Sequence, residues 1–314
     1  MNAITSPTLV ASSVAAPPRF LMCAPNHFAV TYSINPWMDP KAWSDSGSAA
    51  LAATAARQWA DLHEVLTAQG AGIDLVEPVA DLPDLVFTAN AAVVLDRTAL
   101  LARFRHVERQ GEQPVFADAF RGLAARGLLD RVIELPEGLA HEGAGDCIWD
   151  RQRKLFWMGA GFRSDTAAAP VIAETFGVAC LPLALADPNF YHLDTCFHAL
   201  PCGSVIYYPA AFTPDALALI HAHVAPAQRI ELSAADAARF AANCVAFDGV
   251  IVMSSASAGL RRTLEARGYA VVATPLHAFL RSGGSACCLT LRLDHRSDAA
   301  ALAEPASALR ARAG

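Results

Sequence analysis

Four short stretches hold the residues able to do chemistry. The first is residues 283–293, where Cys287 and Cys288 stand side by side behind a Gly-Gly pair. A thiol that ionises can attack an electrophilic carbon. Read as a strand, the stretch puts Cys287, Leu289, Leu291 and Leu293 on one face and Cys288, Thr290 and Arg292 on the other. The apolar face belongs to the core, which turns Cys288 toward a polar space. Both cysteines also fit as small core residues, the usual place of a free thiol.

In residues 189–198 the same alternation gives His192, Asp194, Cys196 and His198 one shared face. An imidazole and a carboxylate aimed into one space can protonate a leaving amine and hold a cation. His198 and His141 are further candidates for the proton transfer. Residues 141–146 place Glu142 and Asp146 on a glycine-rich turn before a strand, which suits close backbone approach to a ligand and equally suits a capping turn. Asp84 and Asn90 share a face by their even spacing, or cap the two ends of one strand.

These stretches recur because each opens a larger unit. Two adjacent strands, a helix and a third strand repeat from residues 84, 146, 194 and 244, with helices expected near 114–126, 167–176, 213–223 and 257–267. The two ends supply half-units: strands at 20–23 and 72–76 flank a helix over 49–69, and residues 287–293 form a last strand. Joined, they complete a fifth unit and remove an exposed sheet edge. A period of about 50 residues points to a closed repeat array. The expected fold class is α/β, a five-bladed pseudo-symmetric propeller of ββαβ units in one domain over residues 19–296. Residues 1–18 read as a disordered lead-in and 297–314 as a short tail.

Composition narrows the partners. The 314 residues carry a net charge of −6 and no basic run, so neither nucleic acid nor an anionic membrane is an expected partner. No apolar run reaches bilayer length, and the first residues lack the pattern of a signal peptide. The eight cysteines show no CxxC pair, which argues for reduced thiols in a cytoplasmic protein with no metal or other cofactor. The expected partner is a small molecule, and a homodimer is compatible with this reading.

Taken in order, PDLVFTAN at 83–90, EGAGD at 142–146, FYHLDTCF at 190–197 and GGSACCLTL at 283–291 resemble the guanidino-group-modifying superfamily. That superfamily includes dimethylargininases, arginine deiminases, succinylarginine dihydrolases and glycine amidinotransferases. The resemblance implies the five-bladed propeller. It also implies Cys288 as nucleophile, His192 as general acid/base and Glu142 as the carboxylate that orients it. Asp84, Asn90 and Asp194 would bind the guanidino group, and Arg105 and Arg163 the α-carboxylate of an arginine-like substrate. The implied reaction passes through a covalent thiouronium and gives citrulline plus an amine from arginine or an N-methylated arginine.

One residue departs from the dimethylargininase and deiminase pattern. Asn90 stands where those relatives have Asp, whereas succinylarginine dihydrolase has Asn in a similar stretch. A neutral amide can both donate and accept, so it suits a ureido group entering a second hydrolysis to ornithine. The alternatives are therefore an arginine dihydrolase, an amidinotransferase or, in a different class, a catalytically silent ligand-binding protein.

Overall fold

The computed structural model describes residues 17–247 and 249–297. The expected lead-in and tail lie almost wholly outside the described residues. Within them the repeat is explicit, as five separate three-stranded sheets of one design. In the sheet nearest the N-terminus, β1 (Arg19–Cys23) pairs parallel with β2 (Gly72–Val76), and the helix Ser48–Ala68 crosses between them. The second sheet holds β3 (Ala92–Leu95), β4 (Thr98–Leu101) and β5 (Arg131–Glu134). Its first pair is antiparallel, its second is parallel, and the helix Glu112–Ala125 connects the parallel pair.

The third sheet repeats this with β6 (Cys147–Asp150), β7 (Leu155–Ala160) and β8 (Ala179–Ala184). The fourth uses β9 (Phe197–Ala199), β10 (Val205–Tyr207) and β11 (Arg229–Glu231). The fifth has β12 (Val245–Phe247), β13 (Val250–Met253) and β14 (Ala270–Ala273). The last strand, β15 (Leu291–Arg292), returns to pair antiparallel with β1 and completes the first sheet from the other end of the sequence. Each sheet is open, and the α/β architecture is a set of small sheets with helices.

Local chemistry explains the element ends. Thr213 caps the helix Pro214–His223 by accepting from Ala216 N–H, with Pro214 supplying the fixed φ of a first helical residue. Ser257 does the same for Ala258–Glu265 through Leu260 N–H. Gly177, at φ +67, stops Ala168–Phe176 in the left-handed conformation that a glycine tolerates. The helix Glu112–Ala125 buries its apolar stripe, Phe116, Phe120 and Leu123, against the second sheet.

One expectation is corrected. The motif stretches are not strands. Pro83–Val86 and Thr88–Ala91 are 3₁₀ turns, and β3 starts only at Ala92. Gly143–Gly145 and Leu193–Thr195 are likewise 3₁₀ turns ahead of β6 and β9. Residues 286–289 form a turn ahead of β15. Alternation therefore does not sort Cys287 from Cys288, or His192 and Asp194 from their neighbours. Each first strand is instead short, and the polar residues sit on the tight turn that enters it.

Candidate active site

The entering turns bond to one another, which gathers residues far apart in sequence. Ala89 N–H donates to Cys288 O at 3.1 Å, and Leu193 N–H donates to Asp146 Oδ1 at 2.9 Å. Two polar groupings result.

Cys288 and Asp194 form the first. The Cys288 thiol donates to Asp194 Oδ2 at 3.1 Å. Both residues are buried, at 3% and 0% exposure, and Asp194 Oδ1 has no partner. Burial and the Asp194 charge push the Cys288 thiol well above its ordinary range. Burial raises the Asp194 carboxyl to about 7, against the lowering effect of Cys288 and Asn243. A buried carboxylate with one unpartnered oxygen keeps an acceptor free for a donor.

Asp194 should therefore weaken the fold that holds it. Its folded pKa lies above the unfolded value, so the folded chain keeps a proton that the unfolded chain has released. The contribution to stability is complete below about pH 4 and is lost as pH rises through about 7. Asp194→Asn is expected to raise the thermal midpoint at pH 8, by free energy on the order of a few kcal/mol, and to lose that advantage near pH 4. Equal midpoints for the two proteins at pH 8 would contradict this.

Glu142 organises the second grouping. His192 Nε2 lies 2.8 Å from Glu142 Oε2, which also accepts from Arg163 Nη1 at 2.9 Å. Glu142 Oε1 accepts the backbone N–H of Arg105 at 3.2 Å. Burial opposes ionisation of Glu142, but Arg163 and His192 outweigh it and hold the carboxyl below its usual range. Burial lowers His192 to about 4, against the pull of Glu142, so the imidazole is neutral near pH 7. Ser164 bridges the turn by receiving Glu142 N–H at 3.1 Å and donating to Asp146 Oδ2 at 2.6 Å.

Asn90 joins the Glu142 turn to Arg109. Its Nδ2 donates to Glu142 O at 3.3 Å, and its Oδ1 accepts from Arg109 Nη1 at 2.8 Å. The Gly145 position is open because it must be: a Cβ there would lie 2.2 Å from Asn90 Nδ2 and 3.5 Å from His192 Nδ1. Asp84 receives Tyr32 OH at 2.9 Å and Ser282 Oγ at 3.1 Å.

The two arginines singled out by sequence part company. Arg163 is 2% exposed and joins Glu142 to Ile34 O, with its guanidinium 4.6 Å from the Tyr191 ring centre. The Arg105 guanidinium pairs with Asp165 at 2.5 Å and lines a surface cavity of about 310 Å³ with Arg103, Gln113 and Gly138. Cys288, His192 and Asp194 do not line that cavity. His141 is buried and His198 half-buried, each lowered to about 4 by desolvation, and each leaves one ring nitrogen without a partner.

Several residues of the site escaped the sequence reading. Arg109 is buried, paired through two 2.8 Å bonds with Glu112, and bonded to Asp84 O at 3.2 Å. Its Arg-x-x-Glu spacing was the available signal, with Arg109 in the short helix Val107–Gln110 and Glu112 opening the next. Tyr32 and Asn35 come from the loop after β1, where Asn35 Nδ2 donates to Ser282 O. Asn243 contacts Cys288, and the repeat itself marked it: it precedes β12 as Asn90 precedes β3.

Among the described residues, no group of three or more His, Cys, Asp or Glu side chains could hold a metal ion, no helix is long and apolar enough to cross a membrane, and the eight cysteines are unpaired.

Comparison with known proteins adds the family. A family profile for eukaryotic N,N-dimethylarginine dimethylhydrolase matches residues 25–294. A bifunctional arginine dihydrolase/ornithine cyclodeaminase of Nostoc sp. is 44% identical over 88% of this chain, which spans only 38% of that protein. An N(G),N(G)-dimethylarginine dimethylaminohydrolase of Mycobacterium tuberculosis is 37% identical over 88% of this chain and 85% of its own length. Among solved structures, the N-terminal domain of the cyanobacterial arginine dihydrolase ArgZ, as a cysteine-to-serine variant bound to substrate, superposes with a TM-score of 0.82. It is 39% identical, over 90% of this chain and all of that domain. With the four motifs in order and the turns that carry them brought together, the chain belongs to the N,N-dimethylarginine dimethylhydrolase family of the guanidino-group-modifying superfamily.

Proposed function

We propose that the chain is a cysteine-dependent hydrolase of the arginine guanidino group that carries its substrate through two hydrolyses to ornithine. The single observation behind the second hydrolysis is the fixed orientation of Asn90. Arg109 is a donor only, so the amide must present Oδ1 to it, and Nδ2, beside Gly145, is left with one N–H on Glu142 O and one to offer. A guanidinium offers only N–H groups and gains nothing from another donor. A ureido oxygen accepts from it. The residue thus favours the citrulline-like intermediate as a second substrate.

The residues divide the work as follows. The substrate cation settles on the free oxygen of Asp194 and neutralises the charge that holds up the Cys288 thiol. The thiol proton passes to the neutral His192, the thiolate attacks the guanidinium carbon, and as the C–N bond breaks His192 returns that proton to the departing ammonia. Water, losing a proton to His192, then cleaves the thiouronium and leaves a ureido group. A second attack releases another ammonia, and water frees CO₂ and ornithine. Arginine plus two waters thus balances ornithine, CO₂ and two ammonia.

Glu142 holds His192 in place, Arg163 compensates Glu142, and Asp84 lines the site. Arg105, beside its surface cavity, is the candidate for the substrate α-carboxylate. The common design of the sheets supports a five-bladed α/β propeller over residues 19–296 with the entering turns at its axis. Eight unpaired cysteines support a cytoplasmic setting.

A second reading is release of citrulline and an amine from a methylated arginine, favoured by the family profile and the M. tuberculosis relative. The test is a product assay with arginine and dimethylarginine, measuring ornithine, citrulline and ammonia. The dihydrolase yields ornithine and two ammonia from arginine; stable citrulline as sole carbon product sinks that reading. In Asn90→Asp a second acceptor replaces the donor, and ornithine formation is expected to fall about 10²-fold while citrulline accumulates.

A further inference from the structure

We propose that Asn243 is the positioning residue of Cys288, one amide that fixes the cysteine's backbone and its sulfur together and favours the thiolate. The inference rests on Cys288 being the nucleophile. Asn243 is wholly buried at the end of a tight turn in which Phe240 takes φ +56 and accepts Asn243 N–H at 3.0 Å. Asn243 Oδ1 accepts Cys288 N–H at 3.2 Å, and Nδ2 donates to Cys288 Sγ at 3.0 Å and to Asp194 O at 3.2 Å. Its own carbonyl accepts Cys287 N–H at 3.4 Å. The amide therefore ties the turn before β12 to the cysteine turn and to the Asp194 turn.

The pattern of donors settles what this amide can do. Because Oδ1 faces a backbone N–H, Nδ2 must face the sulfur. A donor bond to sulfur strengthens when the thiol becomes a thiolate. Asp194 acts in the opposite sense, since it takes the thiol proton and repels the anion. The titratable groups beside Cys288 are Asp194, Tyr191 and Cys287, all acids, so they supply no cation to the sulfur. Asn243 is the side chain that supports the thiolate once substrate covers Asp194. It also holds Sγ to one position, since the same amide grips the backbone of the same residue.

Asn243→Asp keeps an acceptor for Cys288 N–H and puts an anion in place of the donor. Asn243→Ser removes both bonds in a smaller side chain. The probe is iodoacetamide alkylation of Cys288 across pH, read by peptide mass mapping so that the other cysteines do not interfere, alongside arginine turnover. The expected result is an alkylation midpoint raised by about one pH unit or more in Asn243→Asp and by less in Asn243→Ser. Arginine kcat should fall about 10²-fold in Asn243→Asp with KM changed by less than about threefold. A purely structural role lowers the thermal midpoint and leaves the alkylation profile of the folded protein unchanged. Unchanged midpoints in both variants, or failure of both to fold, would overturn the proposal. Should arginine prove not to be the substrate, turnover is absent in the unmodified protein too, while the alkylation shift still reports on Asn243.

Discussion

Arginine consumption by a Cys288→Ala variant is expected to fall by about 10⁴-fold or more, with the thermal midpoint little changed. The size of the effect follows from the absence of a substitute. Cys287 is the adjacent thiol in the same turn, but burial raises it well above its ordinary range, and its backbone N–H is engaged by Asn243 O. The Asp194 carboxylate remains in the variant, so under the proposed function the variant should retain arginine while failing to release ammonia from it. Ammonia release together with calorimetric binding measures both halves. Turnover within tenfold of the unmodified protein would remove Cys288 from the chemistry.

Glu142→Gln should cost both stability and turnover, because one carboxylate serves two purposes. It compensates Arg163, which is 2% exposed and whose other bond is to a backbone carbonyl. A neutral amide leaves that guanidinium buried without a counter-charge, a loss of about 3–5 kcal/mol for a broken buried pair. In a chain of this size that corresponds to a thermal midpoint lower by on the order of 10 °C. The carboxylate is also what holds up the proton affinity of His192 against burial, so without it the imidazole falls still further below about 4. An imidazole that accepts a proton less readily is a poorer donor-acceptor for the leaving ammonia, and kcat is expected to drop about 10²–10⁴-fold. The measurement is thermal unfolding together with kcat at saturating arginine. Unaltered kcat would separate His192 from Glu142 functionally.

The two variants probe different kinds of sequence information. Cys288, His192 and Asp194 lie in motifs whose residue types alone name a chemistry, and the spacing of those motifs names the repeat. The helix boundaries were legible for the same reason, since Thr213 and Ser257 mark helix starts by the hydrogen bonds that only short polar side chains can make there. The first strands were not legible. A run such as residues 84–95 is apolar enough for a strand, yet all but Phe87 of its first eight residues lie in two 3₁₀ turns, whose N–H and C=O groups bond to a neighbouring unit as well as to each other.

The sequence by itself thus determined the α/β repeat, the nucleophile candidate and the neutral residue at position 90. Only the tertiary structure decided which charges meet. It set Arg163 against Glu142, placed Arg109 behind Asn90, left one oxygen of Asp194 without a partner and brought Asn243 to the sulfur. The physical reason is that a buried charge takes whichever partner the packed turns bring within reach. The partners stand 19 to 94 residues apart in sequence, within one unit for Asn90 and Arg109 and across units for Cys288 and Asp194, and local pattern has no access to that distance.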